Sequence, residues 1–270
     1  MNTVAVVGVG LIGGSFALAL RASGFTGKIV GVSSPDAIRV AREHGIVDEA
    51  LPLAEAAAIA DLIYLARPIE GILSVLDELD AYLKPGTLIT DAGSTKAAIC
   101  ARAAQKINRG KFVGGHPMAG KEARGAAVAE ASLFRGRPYI LTSQHKELEQ
   151  IVTSFGARAV VMPAEQHDLL VAFTSHLPQL ISTALAATIG THPEAARVAG
   201  PAAMDLTRLA LSPYEIWRDI FATNAANIDA ALGAFIAQLE GLRDQLRSPQ
   251  IEKEFDQAAA AARTLRAGSS

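Results

Sequence analysis

In the N-terminal part of the chain the apolar residues come in short unbroken runs, separated by longer stretches in which they recur every three or four positions. Residues 4–7, all apolar, are too few for a helix and uniform enough for a strand buried on both faces. Lys28–Val32, Leu62–Leu65, Leu88–Asp91 and residues 112–113, 139–142 and 159–162 read the same way. Residues 12–23, 36–44, 69–83, 96–108 and 146–155 have helical spacing, and Gly24 and Gly27 break the chain after the first of these helices. Strand and helix alternating over short connections predict an α/β fold, a doubly wound, mostly parallel sheet with helices on both faces.

Past Met162-Pro163 the pattern changes. Residues 164 to about 263 hold long alanine- and leucine-rich segments with helical spacing and no convincing strand. Residues 1–163 and 164–270 are therefore expected to form an α/β domain and an all-α domain. Ile228, Ala231, Leu232, Phe235, Ile236, Leu239 and Leu242 lie three or four apart, so one stripe of that helix needs covering. An intrachain core would cover it; a homodimer through the helical domain is the expected alternative. Residues 262–270 read as a frayed, partly disordered end.

Composition narrows the partners. Half of the 270 residues are apolar and the net charge is −2, which gives no electrostatic reason to expect nucleic acid or a membrane surface as partner. Any anion must be bound locally. Cys100 is the single cysteine, so no intrachain disulfide and no metal cluster are expected, and the reducing cytoplasm fits best. Residues 4–20 are uncharged and nearly long enough for an anchor, but no basic residue precedes them and glycines at 8, 10, 13 and 14 interrupt them.

Those glycines have a better explanation. Gly8-Val9-Gly10-Leu11-Ile12-Gly13 directly follows the first strand and opens the first helix, the context that makes Gly-x-Gly-x-x-Gly a Rossmann dinucleotide fingerprint. Gly8 permits the tight turn, Gly10 lets the backbone approach a pyrophosphate and Gly13 lets the helix pack on the strand. The helix N-terminus around Leu11 and Ile12 attracts the anion. The second strand ends Gly31-Val32-Ser33-Ser34, without the acid that selects NAD by binding the ribose hydroxyls. The hydroxyls of Ser33 and Ser34, with Arg39 one turn on, favour NADP as cofactor, with NAD the alternative. Arg67, at the C-terminal end of a strand, is a further candidate contact to the dinucleotide.

Hydride removal from a carbon bearing a hydroxyl needs a base, and histidine has the most suitable pKa. His116, in Gly114-Gly115-His116-Pro117-Met118-Ala119-Gly120, follows a strand in a glycine-rich loop at the expected active-site edge. His44, His145 and His192 lie in polar surroundings and are read as solvated. Thr174-Ser175-His176-Leu177-Pro178-Gln179 falls in the first long helical stretch, which Pro178 should bend. Asp168, Ala172, Ser175 and Gln179 share one polar or small face there, a ligand-facing wall or an interdomain contact. Arg208 and Arg218 suit a substrate carboxylate, with an ordinary ion pair as the alternative. A small-molecule site between the two domains is thus expected.

The ordered set of Gly8 to Ser15, Asp91-Ala92-Gly93-Ser94-Thr95-Lys96, Gly114 to Gly120, Ser175-His176-Leu177-Pro178, Asp205-Leu206-Thr207-Arg208 and Trp217-Arg218-Asp219-Ile220-Phe221 resembles the prephenate/arogenate dehydrogenase family of tyrosine biosynthesis. That resemblance implies NAD(P)-dependent oxidative decarboxylation: prephenate would give 4-hydroxyphenylpyruvate, and arogenate would give tyrosine. It implies that His116 deprotonates the ring hydroxyl, that Ser94 bridges His116 and the nicotinamide, and that Arg208 binds a substrate carboxylate. Ser175, His176 and Gln179 would line the substrate pocket. The chain departs from the common pattern at Ser33, at Lys121 in place of threonine, and at Gln179 in place of histidine. A neutral amide at Gln179 favours prephenate over arogenate's ammonium group. A β-hydroxyacid dehydrogenase or imine reductase is a more distant reading, although no lysine lies between Lys146 and Lys253 to serve as the hydroxyacid enzymes' catalytic lysine. A non-catalytic dinucleotide sensor would not need His116, Ser94 and Arg208 together.

Overall fold

Apolar runs become buried strands and amphipathic stretches become the helices that cover them, in a computed structural model that describes residues 1–268. In chain order the elements are β1 (Thr3–Val7), α1 (Leu11–Ala22), β2 (Lys28–Val32), α2 (Pro35–Glu43), β3 (Glu49–Ala50), α3 (Leu53–Ile59), β4 (Leu62–Leu65), α4 (Ile69–Leu79), β5 (Leu88–Asp91), α5 (Ala97–Lys106), β6 (Lys111–Val113), β7 (Gly115–Pro117), β8 (Pro138–Leu141), α6 (Lys146–Ser154), β9 (Arg158–Val161), α7 (Ala164–Val171), α8 (Leu177–Gly190), α9 (Pro201–Thr207), α10 (Tyr214–Gln245) and α11 (Ile251–Gly268). The first six strands form one parallel sheet in the order β3-β2-β1-β4-β5-β6. The order reverses between β1 and β4, the switch point outside which open α/β sheets bind ligands.

The core follows from the pattern. Val4, Val6, Leu62, Tyr64 and Phe16 of α1 are fully buried, and the Phe16 and Tyr64 rings stack with centroids 3.8 Å apart. Strands β7, β8 and β9 do not continue the parallel sheet. They form a separate three-stranded sheet in which β7 runs antiparallel to β8. The Tyr139 hydroxyl of this sheet donates to that of Tyr64 at 3.2 Å, and burial pushes both phenols upward in pKa.

Several local expectations are corrected. The short strand β3 and the helix α3, an alanine-rich run of high intrinsic propensity, were not foreseen. His116 lies on strand β7 and not in a loop. The C-terminal residues continue as helix to Gly268; Ser269 and Ser270, part of the segment expected to fray, lie outside the described residues. At Pro178 the chain does not break: the five residues Ala172–His176 form a π turn and Pro178 falls in the first turn of α8. Proline lacks the N–H a continuing α-helix would require, and the wider turn accommodates that loss. The Thr174 hydroxyl donates to the Leu170 carbonyl at 3.0 Å.

Residues 1–225 form one compact unit and residues 226–270 a second. The helices after Pro163 up to residue 225 thus belong with the sheet. In the second unit Ala231 is buried, whereas Leu239, Leu246, Phe255 and Leu265 are exposed. Ala164–Gly190 and Tyr214–Gln245 are long and apolar enough to cross a membrane by length and composition. The first of them nevertheless carries His167, Asp168, His176 and Gln179 in buried positions.

Candidate active site

The first site element is built from backbone. Gly8 ends β1 with φ +98° and its N–H donates to the Val32 carbonyl at 2.9 Å. A Cβ there would run into the Ala66 carbonyl group and reach Arg67 Cγ at 2.9 Å, so only glycine fits this turn. Gly10 is the N-cap of α1 and no side chain caps the helix, which leaves first-turn N–H groups for an anion. A cleft of about 440 Å³ opens here, lined by Gly8, Gly10, Ser33, Asp36 and Arg67 among others. Leu11 and Ile12 form the first turn of α1, and Gly13 is buried behind it. This surface suits a dinucleotide.

The other expected cofactor residues are placed differently. Ser34 is the N-cap of α2, its hydroxyl accepting from Ala37 N at 3.4 Å. Arg39 pairs with Glu43 at 2.8 Å on an exposed face and is absent from the cleft wall. Asp36, which sequence reading passed over, lines the cleft from the first turn of α2.

A second cleft of about 230 Å³ shares Arg67 with the first and is walled by Gly93, Ser94, Arg124, Ile216 and Ile220. Its floor is the turn after β5, whose geometry comes from a buried ion pair between Lys96 and Asp91, both fully buried. Asp91 accepts from Gly93 N at 2.8 Å and from Gly115 N at 3.0 Å, and Lys96 Nζ donates to the Gly115 carbonyl at 2.9 Å. Gly115 is therefore clamped at both its backbone groups. A Cβ on it would meet the Asp91 carbonyl at 2.6 Å and Thr90 Oγ1 at 2.8 Å. This clamp sets the position of the next residue, His116.

His116 Nδ1 lies 2.8 Å from His167 Nε2, and His167 Nδ1 lies 2.7 Å from Asp168 Oδ1. The carboxylate also accepts from Lys96 N at 2.7 Å and Ala97 N at 2.9 Å, at the start of α5. Burial first, then the neighbouring His167, the Lys96 charge and nearby His176, hold the His116 pKa well below 6.5. His116 is thus neutral and able to accept a proton near neutral pH. Ser94 lines the adjacent cleft, but the side chain that meets His116 is that of His167. His167, which the sequence reading did not single out, is almost fully buried. The signal that would have found it is its place beside Asp168 on the helix already noted for its polar face.

The remaining predicted residues surround this chain. His176 is buried, its Nδ1 is 3.2 Å from Asn224 Nδ2, and its ring meets Trp217 edge-on at 6.0 Å. Burial lowers its pKa to about 4, against a smaller raising effect of Asp168. Asn224, at the point where α10 leaves helical angles (φ −133°, ψ 21°), also donates to the Asp168 carbonyl at 2.8 Å. Ser175 is half-buried in the π turn. Gln179 is buried, and its amide donates to the Leu209 carbonyl at 2.9 Å and to Thr183 at 3.3 Å. It thereby holds the 3-10 turn Arg208–Leu211 that carries Arg208. Arg208 is largely exposed and faces Glu122 at 3.3 Å. Arg218 pairs with Asp219, whose other oxygen accepts from Glu70 N at the start of α4. Lys121 pairs with Glu130 at 2.6 Å.

The chain is similar to known proteins in sequence and in fold. The family model "Prephenate dehydrogenase, nucleotide-binding domain" matches residues 16–160, and "Prephenate dehydrogenase, dimerization domain" matches residues 163–258. A prephenate dehydrogenase of Lactococcus lactis subsp. cremoris is 33% identical over 231 residues, covering 83% of this chain. The chain spans 65% of that relative's length. One of Bacillus subtilis is 32% identical over 269 residues, 94% of this chain and 72% of the relative. The crystal structure of prephenate dehydrogenase from Aquifex aeolicus with hydroxyphenyl propionate and NAD+ superposes with a TM-score of 0.91 at 30% identity, over 98% of both chains. By sequence and fold the chain belongs to the prephenate dehydrogenase family.

Proposed function

We propose that this protein oxidises prephenate with NAD, releasing carbon dioxide and 4-hydroxyphenylpyruvate. The observation that carries the reading is the neutral His116, clamped through Gly115 against the turn that bears Ser94, with Nδ1 occupied by His167 and Nε2 left for a substrate hydroxyl. A bound nicotinamide dinucleotide supplies the hydride acceptor. As the C–H electron pair of the carbinol carbon leaves as hydride, His116 Nε2 takes the hydroxyl proton. The bond from the ring to its carboxylate then breaks, its electrons complete the aromatic ring, and the proton returns to the phenolic oxygen. Arg208, on the turn that Gln179 holds, is the group proposed to bind a substrate carboxylate. Gln179 itself is assigned to positioning that turn, since its amide is already spent on Leu209 and Thr183.

NAD is favoured over NADP. Of the three groups suggested for a 2′-phosphate, Ser34 caps α2 and Arg39 is paired with Glu43. Asp36 adds a carboxylate to the cleft wall beside Ser33, where it would repel a phosphate and suit ribose hydroxyls. The functional division is placed at Pro163, as the boundary between the two family models supports. A homodimer through the helical part is proposed, supported by the dimerization-domain match and by the exposed Leu239, Leu246, Phe255 and Leu265. The cytoplasm is the proposed compartment, on the single free thiol of Cys100.

The test is reduction of NAD and of NADP, followed by absorbance, with prephenate and with arogenate in separate assays. The NAD–prephenate pair is expected to be fastest. Silence in all four assays from folded protein overturns the reading, and faster reduction of NADP overturns the cofactor assignment.

A further inference from the structure

For two neutral rings, the donors and acceptors around Asp168 leave one way to place the hydrogens between it and His116. The carboxylate already accepts two backbone N–H groups, from Lys96 at 2.7 Å and Ala97 at 2.9 Å. Facing an acceptor, His167 Nδ1 must carry its hydrogen. Neutral His167 then has a bare lone pair at Nε2, and His116 Nδ1, 2.8 Å away, must be the donor. The other nitrogen of His116, Nε2, is left with a lone pair. Asn224 and the start of α5 hold Asp168 from two sides, and His167 and Asp168 are each about 1% exposed, so the chain is rigid and dry.

We infer that His167 and Asp168 are positioning residues: they fix His116 as the Nδ1–H tautomer and receive its Nδ1 proton while His116 holds the substrate's. This rests on the hydride-transfer reading above. When Nε2 takes the hydroxyl proton, the Nδ1 proton shifts to His167 Nε2, forming that N–H bond as the His116 Nδ1–H bond breaks. The positive charge then sits on His167 against the Asp168 carboxylate, one ring farther from the substrate. Decarboxylation regenerates a basic phenolate oxygen, which takes its proton back from Nε2, and both ring protons return. Oxidative decarboxylation of this kind releases no net proton, so a closed chain with no outlet to water suffices. That agrees with the burial of His167.

The test has two arms. Nitrogen NMR of the wild-type protein labelled in histidine, without substrate, reads the tautomer directly: His116 is expected protonated at Nδ1 and bare at Nε2. The reverse assignment overturns the inference whatever the substrate proves to be. In the second arm Asp168→Asn removes the carboxylate charge that offsets a protonated His167, and sets an amide N–H against a backbone N–H of Lys96 or Ala97. The expected loss in kcat is at least about a hundredfold, the lower end for a positioned base, and at most about the ten-thousandfold of the same substitution in a catalytic triad, with KM and NAD affinity within about threefold. A folded variant with kcat retained overturns the role, as does one that loses NAD affinity in parallel with kcat. His167→Gln, which keeps an acceptor oxygen for His116 but cannot take its proton, serves if Asp168→Asn does not fold: full kcat in it excludes the proton shift. Inactivity of the wild type on prephenate counts against the substrate reading and leaves the first arm to decide the tautomer.

Discussion

The dinucleotide turn and the histidine chain are built on opposite principles. The turn is made between β1 and α1, within a dozen residues, and its binding groups are backbone atoms exposed by glycine. The chain joins groups separated by 51 residues between His116 and His167, by 72 between Lys96 and Asp168, and by 56 between Asp168 and Asn224. Its working groups are the side chains of His116, His167 and Asp168, held by the Lys96 N–H and by Asn224 on the Asp168 carbonyl. A locally encoded site tolerates change anywhere except at its glycines. A site encoded by tertiary contact fails when any one partner is lost, because the remainder is left buried and unpaired.

The largest effect should separate the two regions cleanly. His116→Asn is expected to lower kcat by about a hundredfold to ten-thousandfold, the usual contribution of a positioned base, and to leave the NAD dissociation constant within about twofold. Steady-state kinetics and a dinucleotide titration check both. Parallel losses in rate and NAD affinity would show that the regions are one mechanical unit, which would break the comparison.

Gly8→Ala probes the local side. A side chain at φ +98°, overlapping the Ala66 carbonyl, should cost about 3 kcal/mol of stability from strain and overpacking together. It should also weaken NAD binding by displacing the N-terminus of α1. Chemical denaturation and titration measure the two. A variant as stable as the wild type would mean that the turn can rearrange, and that the glycine spacing is less demanding than its geometry indicates.

The same contrast explains what could be read from the sequence. The Gly8–Gly13 spacing and the apolar runs sit within a few residues of one another, so local pattern reported them, and five of the six strands of the parallel sheet followed, all but β3. His116 was legible because Gly114 and Gly115 announce a crowded backbone. His167 carries no such mark. It is one residue of a Gln-His-Asp sequence in a helix, and only the folded chain shows that its ring faces β7. Asn224 is invisible for the same reason: its role depends on a local departure from helical angles within α10. Ser34 and Arg39 illustrate the converse error. Their chemistry suited a phosphate, but the helix cap and the i,i+4 ion pair on α2 claimed them first. The separate β7-β8-β9 sheet escaped notice because its strands have the same apolar pattern as parallel ones, and pairing direction leaves no trace in a run of four residues.

The smallest effect concerns pH, and it sharpens the comparison because the histidine chain and the sheet that carries the turn should respond in different windows. His176 is buried against Asn224 and the edge of Trp217, with Asp168 and His167 the charged or titratable groups near it. Its folded pKa of about 4 lies below the 6.5 of an unfolded histidine. Between these values the unfolded chain binds a proton that the folded protein does not, so stability falls as pH drops from 6.5 and levels off below about 4. After allowance for partial solvent screening the loss is about 2 kcal/mol, and His116, depressed in the same direction, adds to it. At the N-terminal end of the sheet the sign is the same but the window lies lower. Lys84 and the backbone N–H groups of Asn2 and Thr3 hold Asp61 well below the usual carboxylate range. Its contribution is therefore present above pH 3.8 and is lost only as pH falls further. Thermal melts across pH should show two steps, and His176→Asn should remove part of the upper one and leave the lower untouched. A wild-type melt that is flat between pH 6.5 and 4 would mean that water reaches the histidine chain, and the dry, closed site would have to be given up.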